Sequence, residues 1–181
     1  MPTTFISSHR LGNEACPEDL AFLLKHCRDW LESELFVRFP EDEDWAPWED
    51  TSYLNEDDLA APEIAANVKA ISDTCKHIAF VAELPDGEYL GYWRGEAKRP
   101  IAESPLVKYS NDGCFSLWGT SMLQALHFDM EEALLDELRE IAERAGWQLS
   151  QAHLSNYCES EAPDSPDEFH QARYQFHRQH P

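Results

Sequence analysis

The sequence predicts an α+β fold: an antiparallel sheet of about four or more strands with helices packed around it, and extra helices at both ends of the chain. Three observations point there. Two Asp-Gly turns, PDGE at 85–88 and NDG at 111–113, each sit between short runs rich in β-branched and aromatic residues. Such turns supply the residues that tolerate positive φ and join antiparallel neighbours. Apolar stripes at helical spacing flank this middle on both sides. At 181 residues with 43% hydrophobic content, the chain is long enough and apolar enough for one domain with a real core.

Residues 17–36, PEDLAFLLKHCRDWLESELF, read as the first helix. Leu20, Leu23, Leu24, Cys27, Leu31 and Leu35 form its stripe, Pro17 suits the first turn, and Glu18 and Asp19 complement the helix dipole. The stretch 39–58, FPEDEDWAPWEDTSYLNEDD, has two prolines and no sustained period, so its acidic part, 41–58, reads as a loop. Asn55 suits the cap of a short turn. Pro62 opens a helix over 62–75, with Ile64, Val68, Ile71 and Cys75 on one face. HIAFVAEL (77–84) and EYLGYWRG (88–95) then form a hairpin, and SPLVKYS (104–110) and CFSLWG (114–119) a second one. Alternation places Tyr89 and Trp93 on one face of the sheet and Leu90 and Tyr92 on the other. Both faces therefore carry large apolar groups, and each needs a cover: a helix, a loop or a partner. Thr120 or Ser121 caps a further helix, and another spans 130–145 and stops at Gly146. WQLSQAHL, 147–154, is ambiguous and allows a strand. Residues 166–179 read as a terminal helix.

Charge is the strongest compositional signal. The formal net charge is −21, with −9 of it in residues 41–76 and −8 in 129–181, around a nearly neutral middle. Such a surface repels phosphate backbones and anionic lipid, which argues against nucleic-acid and membrane partners, and it attracts basic proteins. An acidic surface also serves solubility alone. No apolar run approaches the about 18 residues of a membrane span. The N-terminus, MPTTFISSHRLGNEAC, has no basic segment ahead of a long apolar one, so no secretory leader is expected. The five cysteines are odd in number, with long spacings and no CxxC, which fits reduced thiols and a cytoplasmic location. Cys27, Cys75 and Cys114 sit among apolar residues and read as buried.

No enzyme motif is present: no GxSxG, no phosphate-cradling GxxxxGK[ST], no GxGxxG and no HExxH. The expectation is a protein without catalysis and without cofactor. The carboxylates of 130–145 alternate with an apolar stripe, as a solvated helix face requires. His170, His177 and His180 invite a metal reading. His170 and His177 stand seven residues apart, two helical turns, whereas ligands one turn apart chelate far better, so no metal is expected. His26 reads as a surface residue.

The middle of the chain resembles a known family. FVAELPDGEYLGYWRGE followed by SPLVKYSNDGCFSLWGTSMLQALHF is similar in its order of elements to the SUKH superfamily, also called Smi1/Knr4. An apolar strand meets a DGEY turn, a GYW strand follows, a PLVKYSNDG segment leads into another strand, and a Ser/Thr-started helix closes the run. The N-terminal CPEDLAFLL echoes the helix start of that family. The match covers 77–128 well. The acidic loop 41–58 and the extension 147–181 are elaborations on it, within a single domain of residues 1–181. The resemblance implies an α+β fold without catalysis. Many bacterial members are immunity proteins that bind and neutralise a cognate toxin, and fungal members regulate cell-wall synthesis.

Two functional expectations follow, with a third held against them. The first is an immunity protein, or antitoxin, that binds a bacterial toxin with a basic surface, a basic nuclease being one such target. The second is a regulatory or scaffold module without a toxin partner. The third is a hydrolase, which would need perturbed carboxylates or histidines converging in one pocket. The partner-binding residues expected for the first are Trp45 and Trp48 as anchors, Glu41, Asp42, Glu43, Asp44, Glu49 and Asp50 as a charged rim, and Tyr92 on the sheet.

Overall fold

The computed structural model describes residues 2–128, 130–155 and 164–180. Its centre is a four-stranded antiparallel meander in the order β1-β2-β3-β4, made of Ile78–Leu84, Glu88–Trp93, Leu106–Tyr109 and Phe115–Gly119. The first turn is closed by Asp86 and Gly87, both at positive φ (62° and 74°), which is the backbone an Asp-Gly pair favours. A β-bulge between Phe80 and Ala82 interrupts the β1–β2 register. Ile78 and Phe80 lie in one apolar cluster, whereas Ala79, Val81, Ala82 and Leu84 all lie in the other. The bulge therefore lets Val81 and Ala82, neighbours in sequence, face the same way.

The inner face carries the larger core. Leu90, Tyr92 and Leu106 pack there with Leu20, Leu23, Leu24, Cys27 and Leu31 from the first long helical segment. That segment is not uniform. Helix α2 (Glu18–Phe22) passes through a π-helical stretch, Leu23–Cys27, into α3 (Arg28–Glu34). A π turn shifts the helical phase and keeps Leu23, Leu24, Cys27 and Leu31 buried together. Helix α6 (Met122–His127) is capped by Ser121, whose Oγ accepts from Gln124 N at 3.2 Å. Asp19, buried on α2, accepts from Leu123 N at 3.1 Å, so a carboxylate of one helix serves the exposed amide of another. Helix α7 (Glu132–Ala145) completes this layer and ends in a Schellman motif: Gly146 at φ 67°, with Trp147 N donating to Ala142 O at 2.9 Å.

The outer face is a second, smaller core of Ile78, Phe80, Trp93, Val107, Phe115 and Leu117, with Cys75. Its cover comes from the chain itself. Phe169 of α8 (Pro166–Gln179) packs edge-on against Trp93, with ring centroids 5.7 Å apart, and Trp45, Trp48 and Ile71 close the rest. Helix α8 lies against α5 (Pro62–Cys75), where Ala66, Ala70, Thr74 and, as the stripe predicts, Cys75 are the buried residues. The sequence-expected stripe of Ile64, Val68 and Ile71 is only half-buried, because two helices approach closely along small side chains. Across this contact Asp73 is a hub: Arg173 Nε reaches its Oδ2 at 2.9 Å, His177 Nε2 shares a hydrogen bond with the same oxygen at 2.8 Å, and Lys76 Nζ binds Oδ1 at 3.0 Å.

Three expectations are corrected. Pro2–His9 forms a helix, α1, that the sequence did not announce; Ile6 is its one buried residue. Residues 147–154 hold no strand: Trp147 stacks on Phe22, centroids 4.4 Å apart, and Gln151–Leu154 is a short 3-10 turn. Cys114 is exposed, since it follows the NDG turn at the rim of the sheet; Cys27 and Cys75 are buried as expected. Among the described cysteines none is paired, and Cys158 lies outside the described residues.

Two measurements test this packing. A Cβ added at Gly91 would stand 2.6 Å from Ile78 Cγ2 and 2.8 Å from both Ala79 O and Phe80 Cα. Backbone cannot swing aside, so Gly91→Ala is expected to lower unfolding stability in urea by about 2–3 kcal/mol. Partial burial alone would raise the Asp73 carboxyl. The hydrogen bonds from His177, Arg173 and Lys76 outweigh that and hold it well below the usual carboxylate range. A depressed folded value stabilises the protein fully above the unfolded value near about pH 4, and the gain is lost as pH falls toward the folded one. Asp73→Asn is therefore expected to cost about 1–2 kcal/mol at pH 7, with the gap to wild type closing below about pH 4 in acid titrations followed by circular dichroism.

Candidate functional site: the acidic aromatic loop on the outer face

The loop leaves the sheet at Arg38, which pairs with Glu83 of β1 through both backbone groups, at 2.9 and 2.8 Å, and through an ion pair at 2.7 Å. Pro40 and Pro47 exclude regular structure, and local hydrogen bonds fold what remains. Asp44 N donates to Asp42 Oδ1 at 3.1 Å, Pro47–Glu49 makes one 3-10 turn, and Ser52 N donates to Asp50 Oδ1 at 2.8 Å. The Ser52 hydrogen bonds keep the Asp50 carboxyl below its ordinary range. Asn55 then caps α4 (Glu56–Ala60) in a capping box with Asp58.

Both tryptophans turn inward. Trp48 stacks on Phe80 with centroids 4.1 Å apart and meets Tyr89 edge-on at 5.8 Å. Trp45 stands edge-on to Trp48 at 5.0 Å. Arg10, beyond the end of α1, lies over the Trp45 ring at 5.1 Å and over the Phe5 ring at 5.7 Å, and donates to the Asp42 carbonyl. Both indoles are half-buried, so each keeps an exposed edge. The rings that the sequence marks as anchors for a partner are thus the lid of the outer core as well.

The carboxylates divide into two groups. Glu41 pairs with Arg28, and Glu43 lies 3.9 Å from His9. Asp44, Glu49 and Asp50 face no cation within ion-pair distance among the described residues. The same holds for Glu56, Asp57 and Asp58 of α4. The first half of the loop is fastened to the body by Arg10 and Arg28, though Asp42 and Asp44 form no ion pair there among the described residues, and unpaired carboxylates continue through the second half and α4. Tyr92 does not belong to this surface. It is 2% exposed and faces the inner core, and burial, with Asp19 nearby, pushes its hydroxyl well above the ordinary tyrosine value. The expectation that Tyr92 meets a partner is corrected on that ground: alternation tells which residues share a face, not which face is deeper.

Sequence reasoning passed over Tyr53, which is 75% exposed, and the cavity beside it. A cleft of about 310 Å³ opens between the loop and α5, lined by the aromatic Trp48, Tyr53 and Tyr109, the apolar Val68 and Ile71 and the acidic Glu49 and Asp50. Burial, with Cys75 and Tyr53 close by, raises the Tyr109 hydroxyl. The signal available was an aromatic residue two positions ahead of a capping Asn in an acidic segment. Phe36 is a second exposed ring, 68% accessible, at the end of α3 with φ 54°. Val37 N closes that helix end onto Leu31 O at 3.1 Å, which holds Phe36 in the left-handed region.

The histidines do not converge. His170 is buried against Phe115, centroids 5.3 Å apart, and burial lowers its pKa; His177 is engaged by Asp73, and His26 is exposed against Phe22. Among the described residues no three His, Cys, Asp or Glu side chains are placed to hold a metal ion. No described helix is long and apolar enough to cross a membrane. The chain matches no protein-family model, no curated protein and no solved structure.

Because Trp48 covers Phe80, Trp48→Ala is expected to lower unfolding stability by about 2 kcal/mol, while Glu49→Gln leaves it within about 0.5 kcal/mol. Urea denaturation of the two variants checks the division between ring and charge.

Proposed function

We propose that this chain is a non-catalytic immunity-type protein that binds a bacterial toxin bearing a basic surface and neutralises it by stoichiometric occlusion, inside the cell where its thiols stay reduced. The observation that carries the reading is the gathering of unpaired carboxylates, Asp44, Glu49, Asp50, Glu56, Asp57 and Asp58, on a loop and short helix, the loop being fastened to the sheet by Trp48 and to the end of α1 by Arg10. Fixed charges of one sign speed encounter with an opposite surface and orient it. A pre-packed loop loses little conformational freedom on binding, so more of the contact energy appears as affinity. The likeness of 77–128 to the SUKH superfamily supports the same reading, and an acidic inhibitor suits a nuclease whose cleft is built for phosphate.

The test pairs the chain with the product of the neighbouring gene. Co-expression is expected to protect cells from that product, and the two proteins are expected to co-purify at low salt and separate as ionic strength rises. Reversing Glu49 and Asp50 together to lysine is expected to weaken the complex by about 3–5 kcal/mol, measured by titration calorimetry, with urea stability retained. Unchanged affinity and protection in that variant would remove the loop from the interface. Capture of a basic protein that is not toxic would favour the regulatory module instead.

A further inference from the structure

We infer that the cleft beside Tyr53 is a receptor for a single arginine side chain projecting from the basic partner, an inference that rests on the binding role proposed above. The cleft, about 310 Å³, stands at the lower limit of small-molecule pockets, which run from roughly 300 to 1,000 Å³. That space fits one long side chain better than a whole substrate. Its lining carries two complementary chemistries. Trp48, Tyr53 and Tyr109 are aromatic, and Glu49 and Asp50, both exposed, bring acidic residues to the same lining, with Asp50 Oδ1 also accepting from Ser52 N.

A guanidinium satisfies both at once. It is planar and weakly hydrated, stacks on aromatic faces, and offers paired donors to a carboxylate, whereas an ammonium is compact and strongly hydrated. The chain itself uses this arrangement a short way off, where Arg10 lies over Trp45. No lysine or arginine lines the cleft, and Glu49 and Asp50 form no ion pair among the described residues. Residues 41–76 carry −9 of the −21 formal net charge, so the charge complementarity extends well beyond these two carboxylates. Tyr53, which lines the cleft, is 75% exposed and belongs to neither apolar core cluster. Its ring is free to close on an entering side chain without breaking an existing contact of the core.

The experiment uses the full isotope-labelled chain and three acetylated, amidated pentapeptides, Gly-Gly-X-Gly-Gly, with X as arginine, lysine or citrulline, followed by NMR. The arginine peptide is expected to shift the Trp48 indole signal and the Tyr53, Val68 and Ile71 signals saturably. Citrulline keeps the shape and loses the charge, and is expected to shift none of them; lysine is expected to bind at least about threefold more weakly. Tyr53→Ala, at an exposed position that leaves the fold intact, is expected to weaken the arginine peptide about fivefold, and Glu49→Gln with Asp50→Asn about tenfold. Glu131→Gln with Glu132→Gln, at the start of α7, leaves binding unchanged. Equal binding of lysine and arginine, an unaffected Tyr53→Ala, or no localised shift overturns the receptor. The two readings fail separately. A silent cleft with protection still lost on reversing Glu49 and Asp50 overturns the receptor alone. A working cleft with protection intact in that variant overturns the toxin-binding role of the loop alone.

Discussion

A sheet that is apolar on both faces must be covered twice, and this requirement organises the chain. The inner face is served by α2, α3, α6 and α7, which bury Leu90 and Tyr92 among leucines. The outer face, with Phe80, Trp93 and Phe115, would expose a broad aromatic surface if left open. Trp48 against Phe80 is the contact that closes it from one side, and Phe169 against Trp93 closes it from the other. Tryptophans set among carboxylates are the consequence. The backbone of 41–50 runs along the rim, sends its rings down to the sheet and leaves its carboxylates in water.

That arrangement also decides what the loop presents. Arg28 pairs with Glu41 in the first half of the segment, and Arg10 holds its backbone at the Asp42 carbonyl. The second half keeps its charge unpaired and lies against the cleft of Tyr53 and Tyr109. Local Asx turns at Asp42 and Asp50, the 3-10 turn between them and the capping box of α4 leave few free dihedrals. The loop is irregular without being loose, which is the form a binding surface takes when rigid scaffolding positions it.

Much of the fold was legible because its signals are local. Asp86-Gly87 and Asn111-Asp112-Gly113 announce the turns of the two hairpins, Ser121 and Asn55 announce caps, and Gly146 announces a stop; none of these depends on distant partners. What was illegible depends on them. Helix α1, PTTFISSH, has two threonines and two serines and buries only Ile6, so no stripe marks it. Of the expected stripe on α5 only Cys75 is fully buried; Ala66, Ala70 and Thr74 are buried instead of Ile64, Val68 and Ile71, because α8 arrives from about 100 residues away and packs over small side chains. Trp147 looked like part of a strand until Phe22 was there to stack on it. In the candidate site the carboxylates and indoles stood out in composition. The cleft did not, since Tyr53, Ile71 and Tyr109 meet only in three dimensions.

The division of labour in 41–58 has a thermodynamic side. Rings that cover the outer core contribute to folding whether or not a partner exists. The unpaired carboxylates contribute nothing of that kind: gathered on one loop and one short helix, they repel each other and reduce stability at low salt. Solubility would be served as well by the same charges spread evenly over the surface, at less cost in repulsion. Concentration beside an aromatic cleft creates a field that is strong, directional and short in range, about 8 Å under physiological salt. Such a field is of use only to a cation held close to it. The physics of the loop therefore supports the proposed contact recognition of a basic surface over a diffuse acidic coat.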